Sequence, residues 1–137
     1  MNYKIVADSS AFFSLVIKED RNHKIANLTI KKIISSDASV IVPGEVFTEL
    51  VNILGKKVGH SVAIKAGKMI LEQSGFIITE TTDSIRNNAF EKFKKQAESV
   101  SFTDCLVMAF ADLYETKDIF GFDEAFRKNG YVRIGID

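Results

Sequence analysis

Lys4-Ile5-Val6-Ala7-Asp8-Ser9-Ser10 is the stretch from which the fold can be read. Residues 4–7 carry a short apolar run that suits a buried strand, and Asp8, Ser9 and Ser10 are residue types that start a helix, here expected over 11–17. The same alternation continues along the chain. A helix fits about 21–35, and the β-branched run Ser39-Val40-Ile41-Val42 stops at Pro43-Gly44. A helix over about 45–54 should break near Gly55, and another over 60–73 should stop at Gly75. Phe76–Thr79 reads as a third strand, followed by a helix over 84–98. Ser101-Phe102-Thr103-Asp104 starts a helix over 105–114; residues 118–122 form a fourth strand and 131–134 offer a fifth. Strands separated by helices imply βαβ crossovers, hence an α/β fold: a three-layer α/β/α sandwich with a mainly parallel sheet of four to five strands.

The bulk properties agree with one domain over residues 1–137. At 46% hydrophobic the chain can build a core, and at 26% charged it is neither disordered nor fibrous. No apolar run approaches the roughly 18–20 residues needed to span a bilayer. Asp8 also comes too early for a secretory signal peptide, so a soluble, cytoplasmic protein is expected. With one cysteine, Cys105, no intrachain disulfide forms; with only His23 and His60 besides, a zinc site of Cys and His lacks ligands. A Ser-His-Asp nucleophile would need one of two histidines lying in polar, helix-like stretches. The chemistry must therefore rest on oxygen donors and carboxylates.

Net charge is zero, but it is unevenly spread. Residues 104–124 hold six acids against the single Lys117, a local net of −5, which leaves +5 on the remainder. In open α/β sheets ligands gather beyond the carboxyl ends of the strands, where the strand order switches. Asp8 follows the first strand, Asp104 opens a helix and Asp123 follows the fourth strand. Each has a bland explanation as a helix cap, first-turn acid or turn residue. Glu45 and Glu49 share a helical face after the second strand; Glu45 lies in the first turn, where capping accounts for it, so Glu49 is preferred. Jointly, Asp8, Glu49, Asp104 and Asp123 would converge on one end of a parallel sheet. Carboxylates so crowded repel unless protonated or bound to cations, and oxygen-only ligation selects Mg²⁺ or Mn²⁺.

Four fragments, in order, resemble the PIN-domain family, close to the VapC-like toxins of toxin–antitoxin pairs. They are Ile5-Val6-Ala7-Asp8-Ser9-Ser10-Ala11; Val42-Pro43 with Glu49-Leu50; Phe102-Thr103-Asp104-Cys105-Leu106 with Ala109 and Ala111; and Ile119-Phe120-Gly121-Phe122-Asp123-Glu124-Ala125-Phe126. The resemblance covers the whole chain. It implies a PIN-like parallel sheet flanked by helices, Mg²⁺ or Mn²⁺ dependence, cleavage of RNA phosphodiesters, a homodimer and an antitoxin partner. Family members often carry Thr or Ser two residues before the fourth acid; here that position is Gly121, and the hydroxyl is missing.

Ser9 and Thr103 are expected to support the acids, and Lys56, Lys57, Lys65 and Lys68 are candidates to line an RNA groove, although scattered lysines are more often solvated surface. Cys105 reads as a buried thiol, and Phe12, Phe13, Phe90, Phe93 and Phe110 as core or dimer contacts. Residues 46–71 hold more apolar side chains than one face of two short helices needs, which points to an interface. Other strand-end aspartate folds fit less well. A haloacid dehalogenase-type phosphatase needs a second Asp where this chain has Ser10, and a receiver domain needs paired early acids and a late strand-end Lys. The remaining alternative is a PIN-like module that binds RNA or protein without cutting.

Overall fold

A computed structural model of the chain describes residues 3–137. Five strands, β1 (Lys4–Ala7), β2 (Ser39–Pro43), β3 (Phe76–Thr79), β4 (Asp118–Phe120) and β5 (Val132–Arg133), form one sheet in the order β3-β2-β1-β4-β5. Every neighbouring pair is parallel, with registers such as Val6 opposite Ile41 and Ala7 opposite Phe120. All five residues of β2 and three of the four in β1 are buried, as expected where helices cover both faces. The expected α/β/α sandwich is observed. The sheet grows from β1 through β2 to β3, then resumes on the far side of β1 with β4, so the strand order switches between β1 and β4.

The helices are α1 (Ser9–Val16), α2 (His23–Ser35), α3 (Gly44–Lys57), α4 (His60–Glu72), α5 (Asp83–Phe93), α6 (Phe102–Leu113) and α7 (Glu124–Lys128). Helix α6 is apolar all round and buried from Asp104 to Ala111, which marks a helix inside the structure. It packs on β1, β2 and β4, with α5 and α7 outside it. Helix α1 packs with α2, α3 and α4 and sends Phe12 onto Phe120, ring centroids 5.7 Å apart and edge to face. Cys105 is buried, as expected of a core thiol. Phe12 and Phe110 are fully buried, whereas Phe90 and Phe93 are exposed in part and meet Phe102. No helix among the described residues is long and apolar enough to cross a membrane.

Several boundaries differ from expectation for local reasons. Helix α3 does not break near Gly55 but runs on to Lys57. One glycine costs a helix only about 1 kcal/mol, and the turn falls instead at Gly59, whose φ of +151° suits glycine. Helix α6 begins at Phe102 because Ser101 and Asp104 form a reciprocal capping box. Helix α5 stops at Phe93, short of 98, and β4 ends at Phe120. Helix α7, absent from the sequence reading, follows Asp123 as its N-cap.

Gly55 is therefore dispensable. A Cβ there would meet only the Cβ of Ala63, at an ordinary 3.9 Å. Gly55→Ala should stabilise the protein by up to about 1 kcal/mol in urea titrations; a loss of stability would contradict the continuous helix.

Candidate functional site

The switch between β1 and β4 brings two acids to one end of the sheet. The Asp8 N–H donates to Phe120 O at 2.9 Å, extending the β1–β4 pairing just past the strands. Asp123 lies three residues beyond β4 at the start of α7. Asp104 is in the first turn of α6, and Glu49 is in α3, the helix that follows β2. Ser9 Oγ donates to Glu49 Oε1 at 2.8 Å, tying α1 to α3.

Each aspartate also performs the structural task that its local sequence suggests. Asp8 Oδ2 accepts from Ser10 N at 3.2 Å and Ser10 Oγ at 2.7 Å. Asp104 Oδ2 accepts from Ser101 N at 3.1 Å, and Asp123 Oδ1 accepts from Ala125 N at 2.9 Å. These bonds occupy one oxygen of each carboxylate. Asp8 Oδ1, Glu49 Oε2, Asp104 Oδ1 and Asp123 Oδ2 make no hydrogen bond among the described residues. Since no buried side-chain polar atom there lacks a partner, the open oxygens of Asp8, Glu49 and Asp104 reach solvent. Capping and ligand binding are compatible, because a carboxylate has an oxygen for each.

The acids are coupled electrostatically. Burial pushes the Asp8 carboxyl up to about 7; the charges of Asp104 and Glu49 add to the rise, and the hydrogen bonds from Ser10 oppose it. Asp104 is raised by burial first and then by Asp123 and Glu49, against its bonds to Ser101. None of the four acids forms an ion pair among the described residues. Nor do any three acidic, His or Cys side chains there close into a ligand set for one ion. The donor set suits a hard divalent cation: four carboxylates, with no imidazole or thiolate among them.

Neighbouring residues shape the site. Ser9 engages Glu49, whereas Asp104 is held by Ser101, whose N–H donates to the carboxylate and whose hydroxyl accepts from the Asp104 N–H; Thr103 makes no hydrogen bond to the acids among the described residues. Ser10, read at first only as part of the helix start, accepts from Phe122 N at 3.0 Å while donating to Asp8, and so joins the first acid to the loop carrying the fourth. Arg133 braces the same loop through Phe122 O at 3.3 Å and Glu124 at 3.1 Å. Nothing in the local sequence marked that role. Gly121 is required by close approach: a Cβ there would fall 2.8 Å from Asp8 Cβ and 2.9 Å from Phe126 Cε2. The hydroxyl expected at 121 has no room, and Ser10 supplies one from the first turn of α1.

Glu45 and Glu49 both line a cavity of about 530 Å³, but Glu45 accepts from Thr81 Oγ1 at 2.8 Å, and only Glu49 perturbs Asp8 and Asp104. The four candidate lysines are divided. Lys57 lines a cavity that also includes Ser9 and Asp123; Lys56 and Lys68 line another between α3 and α4, and Lys65 is exposed on α4.

A parallel sheet whose order switches beside a cluster of open carboxylates defines the class of protein. The PIN domain family model matches residues 5–130, and the chain belongs to that family. Its fold is similar to that of VapC20 from Mycobacterium tuberculosis, a sarcin–ricin loop cleaving toxin, with a TM-score of 0.81 over 95% of this chain and 98% of that one, at 23% identity. A search of curated proteins finds no match.

The raised carboxyl of Asp8 sets a pH dependence. Between its usual value of 3.8 and about 7, the folded protein keeps a proton that the unfolded chain releases. Stability of metal-free protein should therefore fall as pH rises from about 4 to 7, by up to on the order of 4 kcal/mol from this group. Asp104 acts in the same direction. Asp8→Asn should flatten most of the slope in chelator-containing denaturation series; an unchanged slope would show that Asp8 is not the group responsible.

Proposed function

We propose that the protein is a Mg²⁺- or Mn²⁺-dependent endoribonuclease, acting as the toxin of a toxin–antitoxin pair, with Asp8, Glu49, Asp104 and Asp123 as ligands and catalytic acids. The observation carrying this reading is the set of four carboxylates that form no ion pair among the described residues, each fastened by one oxygen and open at the other. A divalent ion held there would activate water and neutralise charge on the phosphodiester undergoing displacement. The chain's own residues do the positioning. Ser9 fixes Glu49, Ser10 fixes Asp8 and the Phe122 backbone, and Ser101 fixes Asp104. Asp8, favoured in its protonated form up to about pH 7 without a cation, would release its proton as the ion binds. RNA as the substrate follows from family membership and accords with the toxin of similar fold.

A non-cutting PIN-like module is disfavoured by the presence of all four acids with open oxygens. Purified protein should cleave single-stranded RNA, stop with chelator and resume with Mn²⁺. Glu49→Gln should abolish cleavage, whereas Glu45→Gln, bonded to Thr81, should retain most of it. Wild type should melt higher with Mn²⁺, and Asp8→Asn much less so. Chelator-resistant cleavage, or an active Asp8→Asn with a full thermal response, would sink the proposal.

The protein is further proposed to form a homodimer and to take an antitoxin segment. Support comes from α3 and α4, which leave Leu71 64% and Ile64 45% exposed on an apolar cavity of about 590 Å³. Sedimentation at micromolar concentration should report a dimer; a strictly monomeric profile would count against it.

A further inference from the structure

We infer that the cavity between α1, α3 and the loop after β4 is a nucleotide subsite. One unstacked base of single-stranded RNA occupies it, with its phosphate held by Arg21 and Lys57. The inference rests on the nuclease reading for the identity of its ligand, and its location follows from the walls. The cavity measures about 460 Å³, within the usual range of roughly 300–1,000 Å³ for small-molecule sites. Its apolar walls include Phe13, Ile53 and Phe122, and Asp123 stands on its border, so a nucleotide seated there lies next to the acid cluster.

The wall carries two cations, Arg21 and Lys57, and two acids, Asp20 and Asp123, and the cations are the groups left to meet an anion. Arg21 and Lys57 both line the cavity, and neither forms an ion pair among the described residues. Many other lysines also lack an ion pair among the described residues; Arg21 and Lys57 differ from them in lining a cavity that Asp123 borders. Asp20, the other acid on the wall, is engaged by Ser14 Oγ at 2.7 Å and Asn22 N at 3.0 Å. Two uncommitted cations beside apolar surface match a phosphate with an attached base. A free base can stack on aromatic walls, whereas a base inside an A-form duplex is not available to a cavity. The subsite would thus confine cutting to unpaired segments and loops. It also separates Lys57 from Lys56, Lys65 and Lys68, which lie away from this cavity.

The test is binding of a short fluorescent single-stranded RNA to the full chain in chelator, with a duplex of the same sequence as competitor. Arg21→Ala and Lys57→Ala should each weaken binding roughly ten-fold and lower the slope of log Kd against log salt by about 0.7. Phe13→Ala should weaken it by a similar factor with the slope unchanged, and the duplex should compete poorly. Lys57→Arg should bind as wild type does, and far-ultraviolet circular dichroism should show every variant folded. Wild-type affinity in both cation variants, equal competition by duplex, or no binding by wild type would overturn the subsite. Cleavage of the same RNA with Mn²⁺ separates the two readings. Cutting that is indifferent to Arg21 and Lys57 removes the subsite and keeps the nuclease, whereas cation-dependent binding without cutting keeps the subsite and removes the nuclease.

Discussion

The ends of β1 and β4 meet so closely that position 121 admits no side chain, and the candidate site depends on this contact. The Asp8 N–H bonded to Phe120 O holds the two strand ends in register, and the missing Cβ at Gly121 lets the Asp8 side chain lie against the turn after β4. Ser10 closes the same junction by donating to Asp8 and accepting from Phe122 N. Any displacement of β4 relative to β1 would move the first and fourth acids together with the hydroxyl that links them.

Burial of Asp8 has an electrostatic cost that its neighbours only partly offset. Desolvation and two nearby carboxylates disfavour its ionised form, and Ser10 returns part of the difference. An isolated buried charge is avoided in proteins unless it is paired, protonated or bound to a metal. Asp8 has no ion-pair partner among the described residues, which leaves protonation or a cation. The fold tolerates the strain because the surrounding core is extensive: α6 is buried through two turns against β1, β2 and β4. Position and strain thus come from the same packing.

The loop bearing Asp123 is held from outside the cluster as well. Arg133, in β5, reaches Phe122 O and Glu124 while pairing with Asp137, and so braces the residues on either side of the acid. Asp123 itself is exposed, in contrast to Asp8 and Asp104. The cluster therefore has a buried half, where charge is disfavoured, and a solvent-facing half that borders the cavity lined by Arg21 and Lys57.

Much of this was legible in the residues themselves. The alternation of short apolar runs with amphipathic stretches determined the α/β class, and Asp8, Asp104 and Asp123 stood out as strand-end or helix-start acids because capping obeys local rules. The positions of Asp8 at the end of β1 and Asp104 beside Ser101 required no knowledge of distant residues. The failures were equally physical. Gly55 looked like a helix break because propensity is local, whereas the turn was decided by the backbone of Gly59. Gly121 looked like a missing hydroxyl, and only its distance from Asp8 showed why none fits. Lys57 was indistinguishable from its neighbours until α1, α3 and the β4 loop enclosed a cavity around it. The sequence by itself determined which residue types begin and end each element, because capping, periodicity and turn chemistry act over a few residues. Only the tertiary structure decided which acids share a field, that Ser9 serves Glu49 and that Ser10 reaches Phe122, because those contacts join residues as much as 112 positions apart and depend on how the strands are ordered.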